Sequence, residues 1–157
     1  MRTSAPGTLN GGYFGEPAAT AESWRNGWFH TGDAFRVDDD GWYYFVDRMK
    51  DTIRRRGENI SSFEVEQFVL DHPGVAEVAA IGVPSEHGED EIKIVVVLLR
   101  GSLVSPGELI DFLAPRMPRY MVPRYVELVD ELPHTEATNR VRKVELRADP
   151  FNDATWD

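Results

Sequence analysis

The chain contains no cysteine, which excludes disulfide frameworks, thiolate nucleophiles and Cys-ligated zinc at once. Long apolar stretches are also lacking. The longest run, residues 94–99, is far shorter than a membrane-spanning helix requires, and the N-terminus has no apolar segment of signal-peptide type. No membrane span is expected, and the expected compartment is the cytoplasm. Histidine is scarce. His30, His72, His87 and His134 stand too far apart for the paired spacings of a metal site, so no metal ligand set is expected. Positive charge is in the minority: a net charge of −10 repels phosphate polymers and anionic bilayers at long range, which argues against nucleic acid as a partner. The exceptions are local, at Arg54, Arg55 and Arg56 and again at Arg140, Arg142, Lys143 and Arg147. They leave room for a small phosphate compound.

A chain of 157 residues suits one ordinary domain, or a small domain with an appendage, and excludes two full catalytic domains. Residues 1–34 are rich in Gly, Ala, Thr and Pro, with too little apolar periodicity to build a core. From Phe35 the pattern changes to a short strand, a turn at 38–41 and an aromatic strand at 42–46, together a β-hairpin. Asp38, Asp39 and Asp40 read as turn chemistry, since three adjacent carboxylates cannot all converge on one ion.

Residues 53–55 read as a strand. Ser61 or Ser62 caps a helix whose apolar face is Phe63, Val65, Phe68, Val69 and Leu70, and His72, Pro73 and Gly74 stop it. Residues 75–83 and 91–99 read as strands, the second β-branched enough to be central. Ser105 and Pro106 open a second helix, residues 115–123 break it, 125–129 form a third strand, and 138–147 end in a short helix. The expected fold class is α+β, a β-hairpin and a roughly three-stranded sheet covered by helices.

Four segments carry a resemblance: GYFGEPAATAESWRNGWFHTGD, FVDRMKDTIRRRGENISSFEVE, RMPRYMVP and LPHTEATNRVRKVELR. In this order they resemble the successive signature motifs of the adenylate-forming superfamily, which includes acyl-CoA synthetases, peptide adenylation domains and luciferases. RRRGENIS is most similar to the branch of crotonobetaine/carnitine-CoA ligases. The resemblance implies that residues 1–49 are the β-rich tail of a large N-terminal AMP-binding domain and residues 50–157 its mobile C-terminal domain. It implies a two-step reaction of a carboxylate with ATP, accompanied by Mg2+, and then with coenzyme A. Between the steps the small domain swings.

By the same resemblance, Asp33 accepts hydrogen bonds from the ribose hydroxyls of the nucleotide and Arg48 contacts the same ribose. On the residues alone, Asp33 is equally a turn aspartate and Arg48 a surface charge paired with Asp47 or Asp51. Lys50 matches the hinge position. Arg54, Gly57, Glu58 and Asn59 match the loop that lines the coenzyme A tunnel, where arginines suit phosphate. Gly57 either lets a thin ligand approach or closes a turn between strand and helix. A strand alternates its side chains, so no more than two of Arg54, Arg55 and Arg56 should reach a ligand.

The last motif departs from the family pattern, in which a lysine follows LPxT and bridges carboxylate and phosphate during adenylation. Aligning back from VRKVELR puts Arg140 in that place, and aligning forward from LPHT puts Asn139 there. The phosphate loop and acyl pocket lie upstream of the matched motifs. The chain is therefore expected not to complete the reaction alone, and its N-terminal remnant to leave an aromatic surface open to self-association. The competing readings are a stand-alone nucleotide- or coenzyme A-binding module and part of a carrier-protein-dependent adenylation domain.

Overall fold

In a computed structural model, residues 1–4, 7–86, 88–136 and 138–157 are described, which leaves His87 outside the described residues. In chain order the elements are α1 (Pro17–Ser23), β1 (Trp24–Arg25), β2 (Trp28–Phe29), β3 (Asp33–Val37), β4 (Tyr43–Arg48), β5 (Ile53–Arg55), β6 (Glu58–Ile60), α2 (Ser62–Leu70), β7 (Val75–Pro84), β8 (Asp90–Leu98), α3 (Pro106–Leu113), β9 (Tyr125–Val129), α4 (Lys143–Ala148) and β10 (Thr155–Trp156). They divide into two compact units, Met1–Phe45 and Val46–Asp157.

The second unit is built on a sheet of order β10-β9-β8-β7, in which β7 and β8 are antiparallel, β8 and β9 parallel, and β9 and β10 antiparallel. The central place of β8 follows from its sequence. IVVV is apolar on both faces because both faces are covered. Ile92, Ile94 and Val96 join Val65 and Val69 of α2 and Leu109 and Leu113 of α3 in one cluster, while Val95 joins Ala79 and Leu132 in another. The helices start where their caps put them. Ser61 accepts the Glu64 N–H at 3.1 Å, and Ser105 and Glu108 form a reciprocal capping box ahead of Pro106.

The sheet has four strands where three were expected. The fourth, β10, is two residues long at an edge, too short for alternation to reveal it. Lys93 of β8, 1% exposed, shows what holds it there. Its ammonium lies 2.5 Å from the Glu127 carboxylate and donates to the Pro150 carbonyl at 2.7 Å and to Thr155 Oγ1 at 3.1 Å. A lysine can be buried because each of its protons finds an acceptor.

The first unit is different in kind. Its β3–β4 hairpin turns through Asp38, whose carboxylate accepts the N–H groups of Asp40 and Trp42 and the Tyr44 hydroxyl. These bonds, that from Tyr44 first, hold the Asp38 carboxyl below its usual range. The acidic run is thus turn chemistry. Phe35 stands edge-on to Tyr43 and Phe45 on the hairpin, and all three are exposed. Ahead of the hairpin, the seven-residue α1 begins at Pro17 and packs a single buried side chain, Ser23.

Candidate functional site

The motif residues of the second unit fall on three loops around the sheet. The first is the turn after β4, where the N–H groups of Asp51 and Thr52 return to the Arg48 carbonyl. Arg48 and Lys50 share this turn, and Lys50 is exposed. Asp47, one residue before it, is 4% exposed. Its carboxylate accepts the Ser62 N–H at 2.5 Å, the Ser62 hydroxyl at 3.2 Å and the Arg48 N–H at 2.7 Å. A helix begins with N–H groups that have no partner within it, and a carboxylate is the favoured acceptor there. The end of β4 is thereby fastened to the start of α2, and Ser61 adds a bond to the Val46 carbonyl at 3.0 Å.

The second loop is the β5–β6 hairpin. Arg55 pairs with Glu58, so Arg56 and Gly57 alone form its tip. Their φ values are +52° and +80°, the left-handed pair of a type I′ turn. Gly57 thus closes a turn, and the turn joins two strands where the expected alternative had it join a strand to a helix. A Cβ there would meet nothing within 4 Å, so conformation and not crowding selects glycine. The Gly57 N–H is held by both carboxylate oxygens of Glu89, at 3.2 and 3.1 Å. Arg54 and Asn59 face each other across the hairpin, joined at 3.0 Å, and Glu58 is exposed beside them.

Arg55 points the other way. Its guanidinium is buried, donates to the carbonyls of Tyr120 and Val122 at 2.9 and 2.8 Å, and lies 2.5 Å from Glu91 in an ion pair without a well-directed hydrogen bond to that oxygen. Alternation leaves Arg54 outward, and Arg56 is exposed at the tip. Arg56 borders a cleft of ≈ 750 Å³ together with Glu89, Glu91, Arg119 and Arg124. Arg124 is itself held by a bidentate contact to Asp157 at 2.8 and 3.0 Å.

The third loop carries Arg140. His134 and Val141 bridge, the Thr135 N–H donates to the Arg140 carbonyl at 2.8 Å, and the Arg140 N–H donates to Thr135 Oγ1 at 3.1 Å. Asn139 has φ +50°, a conformation asparagine tolerates better than most residues. It occupies the bend, while Arg140 begins the return strand with an exposed side chain. Ala137, in the same loop, lies outside the described residues.

Arg54 is thus brought to Asn59, and Arg48 to Lys50. Arg140 is held in a hairpin of its own, and Asp33 opens β3 in the other compact unit. The residues that join the loops include Lys143 and Arg147, which the sequence marked only as members of a basic cluster with room for a small phosphate compound. Lys143, first residue of α4, donates to the Ser62 hydroxyl at 2.7 Å and lies 2.6 Å from Glu66, and Arg147 meets Asp51 at 2.7 Å. Burial pushes the Glu66 carboxyl above its ordinary value, against the pull of Lys143 and of the Ala80 N–H that it accepts. Ser62 and Glu66 are four apart on one helix and so share a face. That spacing is a readable signal, but nothing local points to Lys143. Among the described residues no group of three or more His, Asp or Glu side chains is arranged to hold a metal ion, and no helix is long and apolar enough to cross a membrane.

Comparison with known proteins gives a consistent result. Residues 64–138 match the family described as AMP-binding enzyme C-terminal domain. A feruloyl-CoA synthase from an Amycolatopsis species is 44% identical over 144 residues, which cover 92% of this chain and 29% of that enzyme. A crotonobetaine/carnitine-CoA ligase from Salmonella arizonae is 36% identical over 87% of the chain and 26% of its own length. Among solved structures, the o-succinylbenzoate CoA synthetase of Bacillus subtilis in complex with its acyl-adenylate intermediate matches with a TM-score of 0.78 and 33% identity, over 94% of this chain and 29% of that one. The chain therefore spans less than a third of the relatives it matches.

Proposed function

Since this chain belongs to the adenylate-forming superfamily and contains its AMP-binding C-terminal domain, we propose that it serves as the mobile C-terminal part of an ATP-dependent acyl-CoA ligase. The reaction is that of a carboxylic acid with ATP and its Mg2+, giving an acyl-adenylate and pyrophosphate, followed by displacement of AMP by coenzyme A. ATP and coenzyme A are both plentiful in the cytoplasm, the compartment we assign. The exposed aromatic face of the β3–β4 hairpin is where the rest of the large domain, or a second copy of the chain, packs.

One observation carries this reading. The β5–β6 hairpin turns Arg55 inward and leaves Arg56 at a cleft shared with Arg119, Glu89, Asp90 and Glu91 and with Arg124, which is paired to Asp157; the guanidinium groups of Arg56 and Arg119 suit a phosphate of coenzyme A. In the proposed division of labour, Arg54, Gly57, Glu58 and Asn59 border the path of its pantetheine arm. Arg140 supplies positive charge to the adenylation step in place of lysine, Asp33 and Arg48 hold the ribose, and Lys50 is the hinge.

The test separates the two half-reactions in a ligase carrying this chain. Arg140→Ala should slow pyrophosphate release at least about tenfold and leave thioester formation from supplied acyl-adenylate unchanged. Arg56→Ala should raise the KM for coenzyme A and spare adenylation. Equal loss of both half-reactions in both variants would count against the assignment.

A further inference from the structure

We propose that Lys143 is a positioning residue for Arg140, anchoring α4 to α2 so that the 134–141 hairpin presents Arg140 in one fixed place. The catalytic half of this proposal rests on the adenylation role assigned to Arg140 above. The anchoring half stands on geometry alone.

Lys143 occupies the first helical position of α4, where a cation opposes the helix dipole and contributes nothing to the helix itself. Its ammonium is spent elsewhere. It lies 2.6 Å from Glu66 and donates to Ser62 Oγ at 2.7 Å, with side-chain exposures of only 14% and 15% for Lys143 and Glu66. Each partner is in turn fixed. Ser62 donates its hydroxyl and its N–H to Asp47, and Glu66 accepts the Ala80 N–H at 2.8 Å. The anchor therefore runs from the end of β4 through α2 to β7. Arg147, one turn later on the same face of α4, repeats the contact through Asp51. These two ties hold α4 to Ser62, Glu66 and Asp51, all on the C-terminal side of Lys50.

Arg140 is three residues before Lys143, and only Val141, bridged to His134, and Arg142 lie between them. The Arg142 N–H returns to the Pro133 carbonyl at 2.7 Å, which couples the start of α4 directly to the hairpin. Freeing Lys143 should let α4 lift and the hairpin fray with it, while Ile92, Ile94 and Val96, which pack with α2 and α3 and not in the Val95 cluster that Val141 and Leu146 cover, stay closed.

Amide hydrogen exchange on the full chain tests this. In Lys143→Met the amides of Thr135, Asn139, Arg140 and Arg142 should exchange at least about tenfold faster, with those of Ile92, Ile94 and Val96 unchanged. Lys143→Arg should restore protection. Unchanged hairpin amides, or equal acceleration across β8, would overturn the proposal. If Lys143→Met does not fold, Glu66→Gln, which keeps an acceptor for Ala80, should show a smaller rise at the same four amides, and no rise there would overturn it equally. In a ligase carrying the chain, Lys143→Met should lower kcat for adenylation with the KM for coenzyme A unchanged. An intact adenylation rate in Arg140→Ala would remove the role assigned to Arg140. Loss in Arg140→Ala without loss in Lys143→Met would remove the positioning role alone.

Discussion

The two compact units bury their side chains very differently. In Val46–Asp157 the apolar side chains from Ile53 to Leu132 supply every buried hydrophobic residue among those described, and even Lys93 and Arg55 are enclosed with partners. In Met1–Phe45 the only buried residue among those described is Ser23, while Phe14, Trp28, Phe35, Val37, Trp42, Tyr43 and Phe45 are exposed. Apolar burial is the main favourable term in folding, so the second unit has the means to hold its shape alone and the first does not. The proposed roles follow the same division: a rigid body that presents loops, and a segment whose aromatic face calls for cover.

The sharpest way to break that comparison is at Arg55. Replacing it with methionine leaves Glu91 buried without a counter-ion and the Tyr120 and Val122 carbonyls without their donor. The expected loss is about 3–5 kcal/mol, read as a lower urea midpoint. Ile94→Ala should follow at about 2–5 kcal/mol, because Ile94 is fully buried between α2, α3 and the sheet. A small loss at either site would mean that the second unit is less closed than its burial indicates.

Much of that closed unit was legible. Ser61, Ser105 and Pro106 mark helix starts because caps act within one turn, and β7 and β8 announce themselves because long β-branched runs have few other uses. In the first unit the β3–β4 hairpin was legible from its turn and aromatic strand, while residues 1–34 were legible only as an absence of pattern, which matches the lack of buried apolar side chains there. What escaped was short or distant. β6 reads ENI and β10 reads TW, neither long enough for alternation to show. The anchor at Lys143 closes over 81 residues of sequence separation, and pairs of that kind leave no local trace. The candidate site residues came from motif resemblance, and Arg54 lies on β5, Gly57 at the β5–β6 tip and Arg140 in the loop after Thr135, all exposed. Their supports, Asp47, Glu66 and Glu89, are ordinary acids in sequence and become distinctive only once folded.

Among the described residues the second unit shows two lysine–carboxylate pairs, Lys93–Glu127 and Lys143–Glu66, and pH should distinguish them. Burial pushes Glu127 upward, but its hydrogen bonds from Lys93 and Asn152 outweigh burial and leave the carboxyl below its ordinary value. At Glu66 burial wins, and the carboxyl is raised. A lowered carboxyl contributes stability that is present above the ordinary glutamate range and is lost as pH falls through the folded value. A raised one contributes stability that is present below that range and is lost as pH rises through the folded value. Urea midpoints followed from about pH 3 to about pH 7 should therefore show opposite changes. Glu127→Gln should remove part of the acid-side fall in stability, and Glu66→Gln should remove part of any decline on the rising side. Identical profiles for the two variants would mean that the two pairs have the same electrostatic balance.

The smallest effect is expected at Tyr43, the hairpin aromatic with 72% of its surface exposed. Tyr43 belongs to the first unit and is exposed, so Tyr43→Ala should change the stability of the second unit, read by urea unfolding, by no more than about 0.5 kcal/mol. The same substitution should nevertheless weaken any self-association measured by sedimentation, because an exposed apolar patch favours contact with whatever covers it. The two readouts separate the units cleanly. A stability loss as large as that of Ile94→Ala would show that Tyr43 is part of a folded core in solution. Unchanged sedimentation of a self-associating chain would show that the aromatic face is not where the copies meet.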